Sequence, residues 1–143
     1  MSESVTEVAP GIFQLRIPMP NNPLGYTLPY LITGENGPIL IDTGLQSPEG
    51  IEAFRDQLTG QLGIKPDRVQ VILITHNHPD HYGLALEAKK LTNARTAMHR
   101  IDWEQNPFRM RANNQNGAGT GRGSPRDEGR PGEGPSQDGM EQM

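Results

Sequence analysis

Three of the four histidines of this chain lie within six residues, in the run Thr75-His76-Asn77-His78-Pro79-Asp80-His81. The run directly follows residues 69–74, an apolar segment with the length and composition of a buried strand. Imidazole and carboxylate groups are ligands of Zn, Fe, Mn and related divalent ions, and four such groups packed this closely are unfavourable unless a cation draws them together. The pattern therefore predicts a metal site at the end of a strand.

Composition limits the class of protein to which such a site can belong. The chain has 143 residues, a formal net charge of -4 and no cysteine. One small domain is expected, and any metal must be held by nitrogen and oxygen because Cys ligands are absent. The acidic N-terminus lacks the pattern of a signal peptide and no stretch is apolar enough to span a bilayer, so we expect a cytoplasmic protein with no membrane partner. The mildly acidic balance gives no clear signal for nucleic-acid binding.

The hydrophobic pattern before residue 113 is typical of an α/β protein. Short apolar segments open the chain and predict an antiparallel meander, after which helical and strand patterns alternate. Ser47 can cap the first helix and Gly63 can end it. The predicted strands lie at 12–17, 30–32, 38–42, 69–74 and 94–98, and the predicted helices at 47–63 and 81–91. We therefore predict an α/β layer arrangement.

Residues 113–143 differ sharply in composition from the rest of the chain. Their only residues of the apolar class are Ala118, Met140 and Met143. Such a segment cannot offset its ordering entropy by burial, so we predict a Gly- and Pro-rich disordered tail. Two other interpretations stay open: a tail that binds a partner, and a tail foreign to the domain that results from a shifted reading frame or a truncated gene.

The spacing of the histidines divides the predicted metal site into two parts. In an extended chain, residues two apart point the same way, so His76 and His78 can both reach one cation from the carboxyl end of the strand. Pro79 then turns the chain and places Asp80 and His81 at the N-terminus of the next helix, where a second cation could bind. The alternative is a surface histidine cluster without function. The strand before the run and the helix after it favour the metal site.

The same run, together with Ile39-Leu40-Ile41-Asp42-Thr43-Gly44 upstream, resembles the metallo-β-lactamase-fold hydrolase superfamily. The resemblance covers residues 5 to about 103. It implies that residues 1–112 form the N-terminal half of an αβ/βα sandwich. It also implies a centre with one or two zinc ions, with Fe or Mn in some members. The implied reaction is hydrolysis of a small-molecule ester, thioester, lactam, lactone or phosphodiester.

The resemblance also assigns roles to the residues that match the motifs. It makes His76 and His78 ligands of a first metal, Asp80 and His81 ligands of a second, and Asp42 a residue that supports the ligands from beneath. A divalent cation lowers the pKa of bound water, and the resulting hydroxide can attack a carbonyl carbon or a phosphorus. Asp80 is the candidate to orient that nucleophile or accept its proton.

The chain departs from the superfamily in the number of its metal ligands. Members bring further histidines from the later half of the fold, whereas this sequence has no histidine after His99, which we leave unassigned. Two hypotheses follow: a zinc-dependent hydrolase, or a non-catalytic metal-binding or interaction fragment. Half of a two-layer sandwich also exposes apolar sheet surface, which predicts self-association.

Overall fold

The computed structural model describes residues 4–106 and 140–142. Strands open the chain and helices alternate with strands after residue 47, which confirms the α/β fold class. The strands are β1 (Thr6–Ala9), β2 (Ile12–Gln14), β3 (Ile17–Pro18), β4 (Tyr26–Thr27), β5 (Tyr30–Ile32), β6 (Ile39–Ile41), β7 (Val71–Ile74), β8 (Arg95–Met98) and β9 (Met140–Gln142). The helices are α1 (Pro48–Arg55), α2 (Pro79–Tyr82), α3 (Ala85–Thr92) and α4 (Arg100–Glu104), with a π-helix at Asp56–Gln61 and a 3-10 helix at Pro66–Arg68.

One mixed sheet organises the fold. Its order is β1-β2-β5-β6-β7-β8-β9, and β3 pairs with β4 in a separate two-stranded sheet. Strands β1, β2, β5 and β6 pair antiparallel, as the opening meander predicted, whereas β6, β7, β8 and β9 pair parallel. The carboxyl ends of β6, β7 and β8 therefore lie side by side at one edge of the sheet. Open α/β sheets bind their ligands at this edge.

The hydrophobic core lies between one face of the sheet and the helices. Leu31, Leu40 and Ile72 stand opposite one another on neighbouring strands, and each is fully buried. Phe54 of α1 and Ala88 of α3 belong to the same core cluster. Burial of these aliphatic side chains, at about 1.5–3 kcal/mol for each large one, is the main force that holds the layer together.

The opposite face of the sheet is less covered. Ile32 and Ile39 are paired in the register of β5 and β6, and each is 38% exposed. Val71 continues the same row on β7 and is half-buried. The predicted self-association through this apolar face stays a prediction.

The strand predicted at 12–17 is divided between the two sheets. Between β2 and β3 the backbone of Arg16 bonds to a side chain instead of a neighbouring strand: its N–H donates to Gln57 Oε1 at 2.8 Å, and its carbonyl accepts from Gln57 Nε2 at 2.7 Å. Gln57 is only 2% exposed. The side chain of Gln57, on the π-helix, thus takes the backbone hydrogen bonds that a neighbouring strand would otherwise make with Arg16. The alternation of apolar residues in the sequence could not predict this contact.

Both predicted helices differ from the structure in their limits. The first, predicted over 47–63, is α-helical only to Arg55 and continues as the π-helix. The second, predicted over 81–91, begins earlier, at Pro79, and breaks between α2 and α3 around Gly83 and Leu84. The N–H of Leu84 bonds to the carbonyl of Gly44 at 3.0 Å instead of continuing the helix.

The predicted tail falls largely outside the described residues. Residues 113–139 and 143 are not among them, and residues 140–142 form β9, which pairs parallel with β8. This short part of the tail is therefore a strand. Within the part of the chain that the structure describes, no helix is long and apolar enough to cross a membrane.

Candidate metal centre

The histidine run forms the connection between β7 and α2. His78 is the N-cap of α2, with extended backbone angles of φ -113 and ψ 143, and Pro79 occupies the first helical position. Proline is favoured there because its fixed φ suits a helix and it has no N–H to leave unpaired. Because β6 is parallel to β7, the residue that follows β6, Asp42, lies beside the start of this run. Its N–H donates to the carbonyl of Leu73 at 2.8 Å.

Asp42 is the centre of the hydrogen bonds that shape the site. Its carboxylate accepts from the N–H of Thr75 and from the hydroxyl of Thr75, both at 2.8 Å. It also meets Nδ1 of His81 at 2.8 Å. Asp42 is 8% exposed and has a φ of 60, a left-handed conformation that Asp and Asn tolerate better than most residues. Three donors therefore converge on one buried carboxylate, and the supporting role that the resemblance implies for Asp42 stays a prediction.

This network fixes the protonation pattern of two imidazole rings. A carboxylate can only accept hydrogen bonds, so Nδ1 of His81 must carry the proton that it shares with Asp42. The hydroxyl of Thr75 already donates to Asp42, so it accepts from Nδ1 of His76, 2.9 Å away. In the neutral form of each ring, Nε2 is then the nitrogen with a free lone pair. A carboxylate partner on the other nitrogen, as Asp42 is for His81, is typical of metal-binding histidines.

Backbone contacts hold His81 over the end of β6. The N–H and the hydroxyl of Thr43 both donate to the carbonyl of His81, each at 2.9 Å. The His81 ring lies 4.0 Å from the His76 ring, and the His76 ring lies 4.6 Å from the His78 ring, between centroids. All three imidazoles of the run are therefore gathered in one place.

Asp80 and His81 form a pair suited to a cation. Oδ2 of Asp80 lies 3.4 Å from Nε2 of His81. With the His81 proton on Nδ1, these two atoms present lone pairs to each other, an arrangement that a shared cation or proton stabilises. Two ligands at the usual zinc distances and a tetrahedral angle are separated by about 3.3 Å. The donor set of this pair thus fits zinc in type and in spacing.

The complete ligand set of a zinc ion is not assembled here. In the part of the chain that the structure describes, no group of three or more His, Asp or Glu side chains is arranged to hold one ion. The structure brings together all five residues predicted from the sequence, and their assignment as ligands and support stays a prediction. Those residues are Asp42, His76, His78, Asp80 and His81.

Sequence reasoning missed three residues that shape the site. Thr75 and Thr43 contribute through hydroxyl groups, and each is adjacent to a predicted site residue, which was an available signal. Asp102 of α4 accepts from the N–H of Asn77 at 3.0 Å, and no local pattern pointed to it. His99, left unassigned, is the N-cap of α4 and its Nδ1 accepts from the N–H of Ile101 at 3.3 Å.

Comparison with known families decides the lineage. The sequence model of the metallo-beta-lactamase superfamily matches residues 22–140. The chain belongs to this superfamily. The match spans most of the sequence and both motifs on which the resemblance rested, so that resemblance is confirmed. No functionally curated protein matches this metallo-beta-lactamase superfamily member.

Solved structures support the same conclusion for the fold. A metallo-beta-lactamase family protein from Thermus thermophilus is 36% identical, with a TM-score of 0.58, over 66% of this chain and 30% of that one. A beta-lactamase domain protein from Burkholderia ambifaria is 26% identical, with a TM-score of 0.64, over 73% of this chain and 32% of that one. A subclass B3 metallo-beta-lactamase of Bradyrhizobium japonicum is 27% identical, with a TM-score of 0.56, over 70% and 34%. The superfamily member described here spans about a third of these proteins, so its fold is a partial one.

Proposed function

We propose that this chain is a metal-dependent hydrolase whose site holds one or two zinc ions. The proposal rests on one observation above all: Asp42 contacts Nδ1 of His81 directly and reaches Nδ1 of His76 through Thr75. From these contacts we infer that Nε2 of each ring has its lone pair free. Structural histidines need no such arrangement, whereas metal ligands require a deprotonated nitrogen. Superfamily membership supports the same class of activity. Ligation by nitrogen and oxygen also suits Fe and Mn, and zinc is the first choice.

In this proposal, each side chain of the site has its own role. His76 and His78 would hold a first ion, and Asp80 and His81 a second. The chemistry that a bound divalent cation supplies here is Lewis acidity toward water and toward a substrate oxygen. Asp80 would orient the attacking water and accept its proton, since its carboxylate is partly exposed and lies next to His81. Asp42 keeps His81 in the tautomer that this arrangement needs.

The proposed substrates follow from the chemistry of activated water. We propose an ester, thioester, lactone or phosphodiester of a small molecule, because these bonds have an electrophilic carbon or phosphorus that activated water can attack. The cytoplasmic location predicted from the sequence stays a prediction.

A second candidate is a metal-binding or interaction protein without catalysis. It is favoured by the absence of a three-ligand group among residues 4–106. Catalytic zinc usually has three protein ligands and one open position, whereas the described residues offer ligands in pairs. The two candidates agree on metal binding and differ only in hydrolysis.

Replacement of His78 by alanine tests the proposed function. We expect the purified full chain to bind at least one equivalent of zinc, and His78→Ala to weaken that binding by about 100-fold or more, since loss of an outer partner alone costs about 10–100-fold. Zinc affinity is measured by competition with a chromophoric chelator. Hydrolysis of nitrophenyl ester and bis-nitrophenyl phosphate by the zinc-loaded protein should fall in parallel.

His99→Asn is the matched control for this experiment. It also removes an imidazole, but asparagine is a good N-cap and preserves the start of α4. Zinc affinity and hydrolysis should be unchanged in this variant. If the wild type holds less than one equivalent weakly and His78→Ala leaves hydrolysis unchanged, the hydrolase proposal is wrong. Zinc binding that depends on His78, without any hydrolysis, would establish the second candidate.

A further inference from the structure

We propose that Asp102 is a positioning residue that fixes the loop between β7 and α2, and so holds His76 and His78 ready for a metal ion. This inference rests on the proposed function, because it concerns the same metal site. Asp102 belongs to neither motif of the sequence. It lies on α4, and from there it contacts residues 75–78 between β7 and α2, which we call the histidine loop.

The parallel sheet explains why Asp102 is close to the loop. Strand β8 pairs with β7 in a register that places Met98 opposite Ile74, the last residues of the two strands. The segments that follow them, the histidine loop and α4, therefore leave the sheet side by side. From α4, Oδ1 of Asp102 accepts a hydrogen bond from the N–H of Asn77 at 3.0 Å.

The start of α4 is itself well held. His99 caps it: its Nδ1 accepts from the N–H of Ile101 at 3.3 Å, and its carbonyl accepts from the N–H of Trp103 at 3.0 Å. Asp102 lies between these two residues in the first turn and is half-buried. A capped turn gives the carboxylate a fixed position, so it can act as an anchor for another segment.

In its middle, the histidine loop is held from within by a hydrogen bond from the N–H of His78 to the carbonyl of His76 at 3.0 Å. At its beginning, Thr75 is held by Asp42 through two hydrogen bonds. At its end, the carbonyl of His78 accepts from the N–H groups of α2. Asn77 separates the two histidines of the first predicted metal pair, and its side-chain Oδ1 is buried without a hydrogen-bond partner among the described residues.

A buried amide oxygen without a partner disfavours this loop conformation. The hydrogen bond from the N–H of Asn77 to Asp102 stabilises this conformation. Its acceptor is a carboxylate, and such charge-assisted hydrogen bonds are stronger than neutral ones. Because Asn77 lies directly between His76 and His78, fixing its backbone fixes the separation and direction of the two rings. Asp42 thus anchors the beginning of the loop and Asp102 anchors its centre.

The test compares two substitutions of Asp102 by their effect on zinc affinity. Asp102→Leu removes the acceptor, and we expect zinc affinity to fall about 10–100-fold, the usual effect of losing a residue that orients a ligand. Asp102→Asn keeps an oxygen that can accept from the N–H of Asn77, so its zinc affinity should stay within about threefold of wild type. Rescue by asparagine separates an effect of the hydrogen bond from a loss of negative charge near the ions.

Glu104→Leu is the control on the same helix. The Glu104 side chain is exposed and its Oε1 lies 3.9 Å from Nε of Arg100 on the same helix, so zinc affinity should be unchanged. Equal zinc affinity in Asp102→Leu and wild type would overturn the proposal. So would an equal loss in Asp102→Leu and Asp102→Asn, or an equal loss in Glu104→Leu.

Amide hydrogen exchange of the metal-free full chain gives a second measurement that does not need zinc. The N–H of Asn77 should be protected in wild type and in Asp102→Asn, and should exchange at least about 10-fold faster in Asp102→Leu. An unprotected Asn77 in wild type overturns the proposal even if Asp102→Leu fails to fold. If wild type binds no zinc, the proposed metal site is wrong, while protection of Asn77 still decides whether Asp102 fixes the loop.

Discussion

Asp42→Asn is expected to lower the affinity for zinc about 100-fold, the upper end of the effect seen when a partner of a metal ligand is lost. The fold should lose only about 1 kcal/mol of unfolding free energy, because the amide is of the same shape and can still accept from the N–H of Thr75. Asparagine also tolerates the left-handed backbone that Asp42 adopts, at a φ of 60. The variant therefore distinguishes an effect on zinc affinity from an effect on the stability of the fold.

The large effect on zinc comes from the tautomers of the two rings. In Asp42→Asn, an NH₂ group replaces the oxygen that His81 Nδ1 and the Thr75 hydroxyl both contact. It donates where the carboxylate accepted, so Nδ1 of His81 must become an acceptor and its proton moves to Nε2. The hydroxyl of Thr75 then donates to His76 Nδ1, and the proton of that ring moves to Nε2 as well. Both nitrogens proposed to bind metal lose their free lone pairs.

Nitrogen chemical shifts of the imidazole rings measure this reversal directly in the metal-free protein. We expect the Nδ1-protonated tautomer of His76 and His81 in wild type and the Nε2-protonated tautomer in Asp42→Asn. Asp67→Asn makes the same chemical change at an exposed position and should leave tautomers and zinc affinity as they are. Unchanged tautomers in Asp42→Asn would contradict the role given to Asp42.

The parts of this site that the sequence predicted are those encoded within one element. The run His76 to His81 carries its own context, an apolar strand before it and a proline that opens a helix after it. Asp42 follows another apolar strand, and its supporting role was predicted from the resemblance to the superfamily. Parallel pairing of β6 with β7 then brings the two segments together without any further information.

The parts that the sequence did not reveal depend on contacts between distant elements. Gln57 bonds to the backbone of Arg16, 41 positions earlier in the chain, in place of a neighbouring strand. Asp102 bonds to the backbone of Asn77, 25 positions earlier. Neither residue has a local pattern that distinguishes it from an ordinary polar residue on a helix. Periodicity reports which face of an element is buried, and it says nothing about which polar side chain will replace a backbone partner.

The break between α2 and α3 also depends on a contact between distant elements, because the N–H of Leu84 bonds to the carbonyl of Gly44. Gly83 has an ordinary helical φ of -54, so glycine is not required there by backbone conformation. Glycine is required at position 83 because there is no room for a side chain. A Cβ at Gly83 would lie 2.7 Å from the N of Gln46 and 2.7 Å from the carbonyl oxygen of Gly44, and closer still to the carbonyl oxygen of Pro79. All three atoms belong to the backbone and cannot rotate away.

Gly83→Ala is therefore expected to destabilise the fold by about 3 kcal/mol, the upper end of the usual cost of overpacking. The loop from Asp42 to Gln46 must move away from α2 to make room for the methyl group. That movement strains the contacts of Thr43 with the carbonyl of His81 and the hydrogen bond of Asp42 with the His81 ring. Urea denaturation measures the loss of stability, and zinc affinity of the fraction that remains folded should also fall, by about 10-fold or more.

Gly34→Ala is the matched control, because it makes the same substitution where space is available. The nearest atom to a Cβ at Gly34 is the carbonyl oxygen of Gly37, at an ordinary 3.8 Å. Its unfolding free energy should stay within about 0.5 kcal/mol of wild type. If Gly83→Ala proved as stable as Gly34→Ala, the close approach of α2 to the Asp42 loop would be wrong. Because that approach places Asp42 against His81, the role proposed for Asp42 in orienting the His81 ring would then be wrong as well.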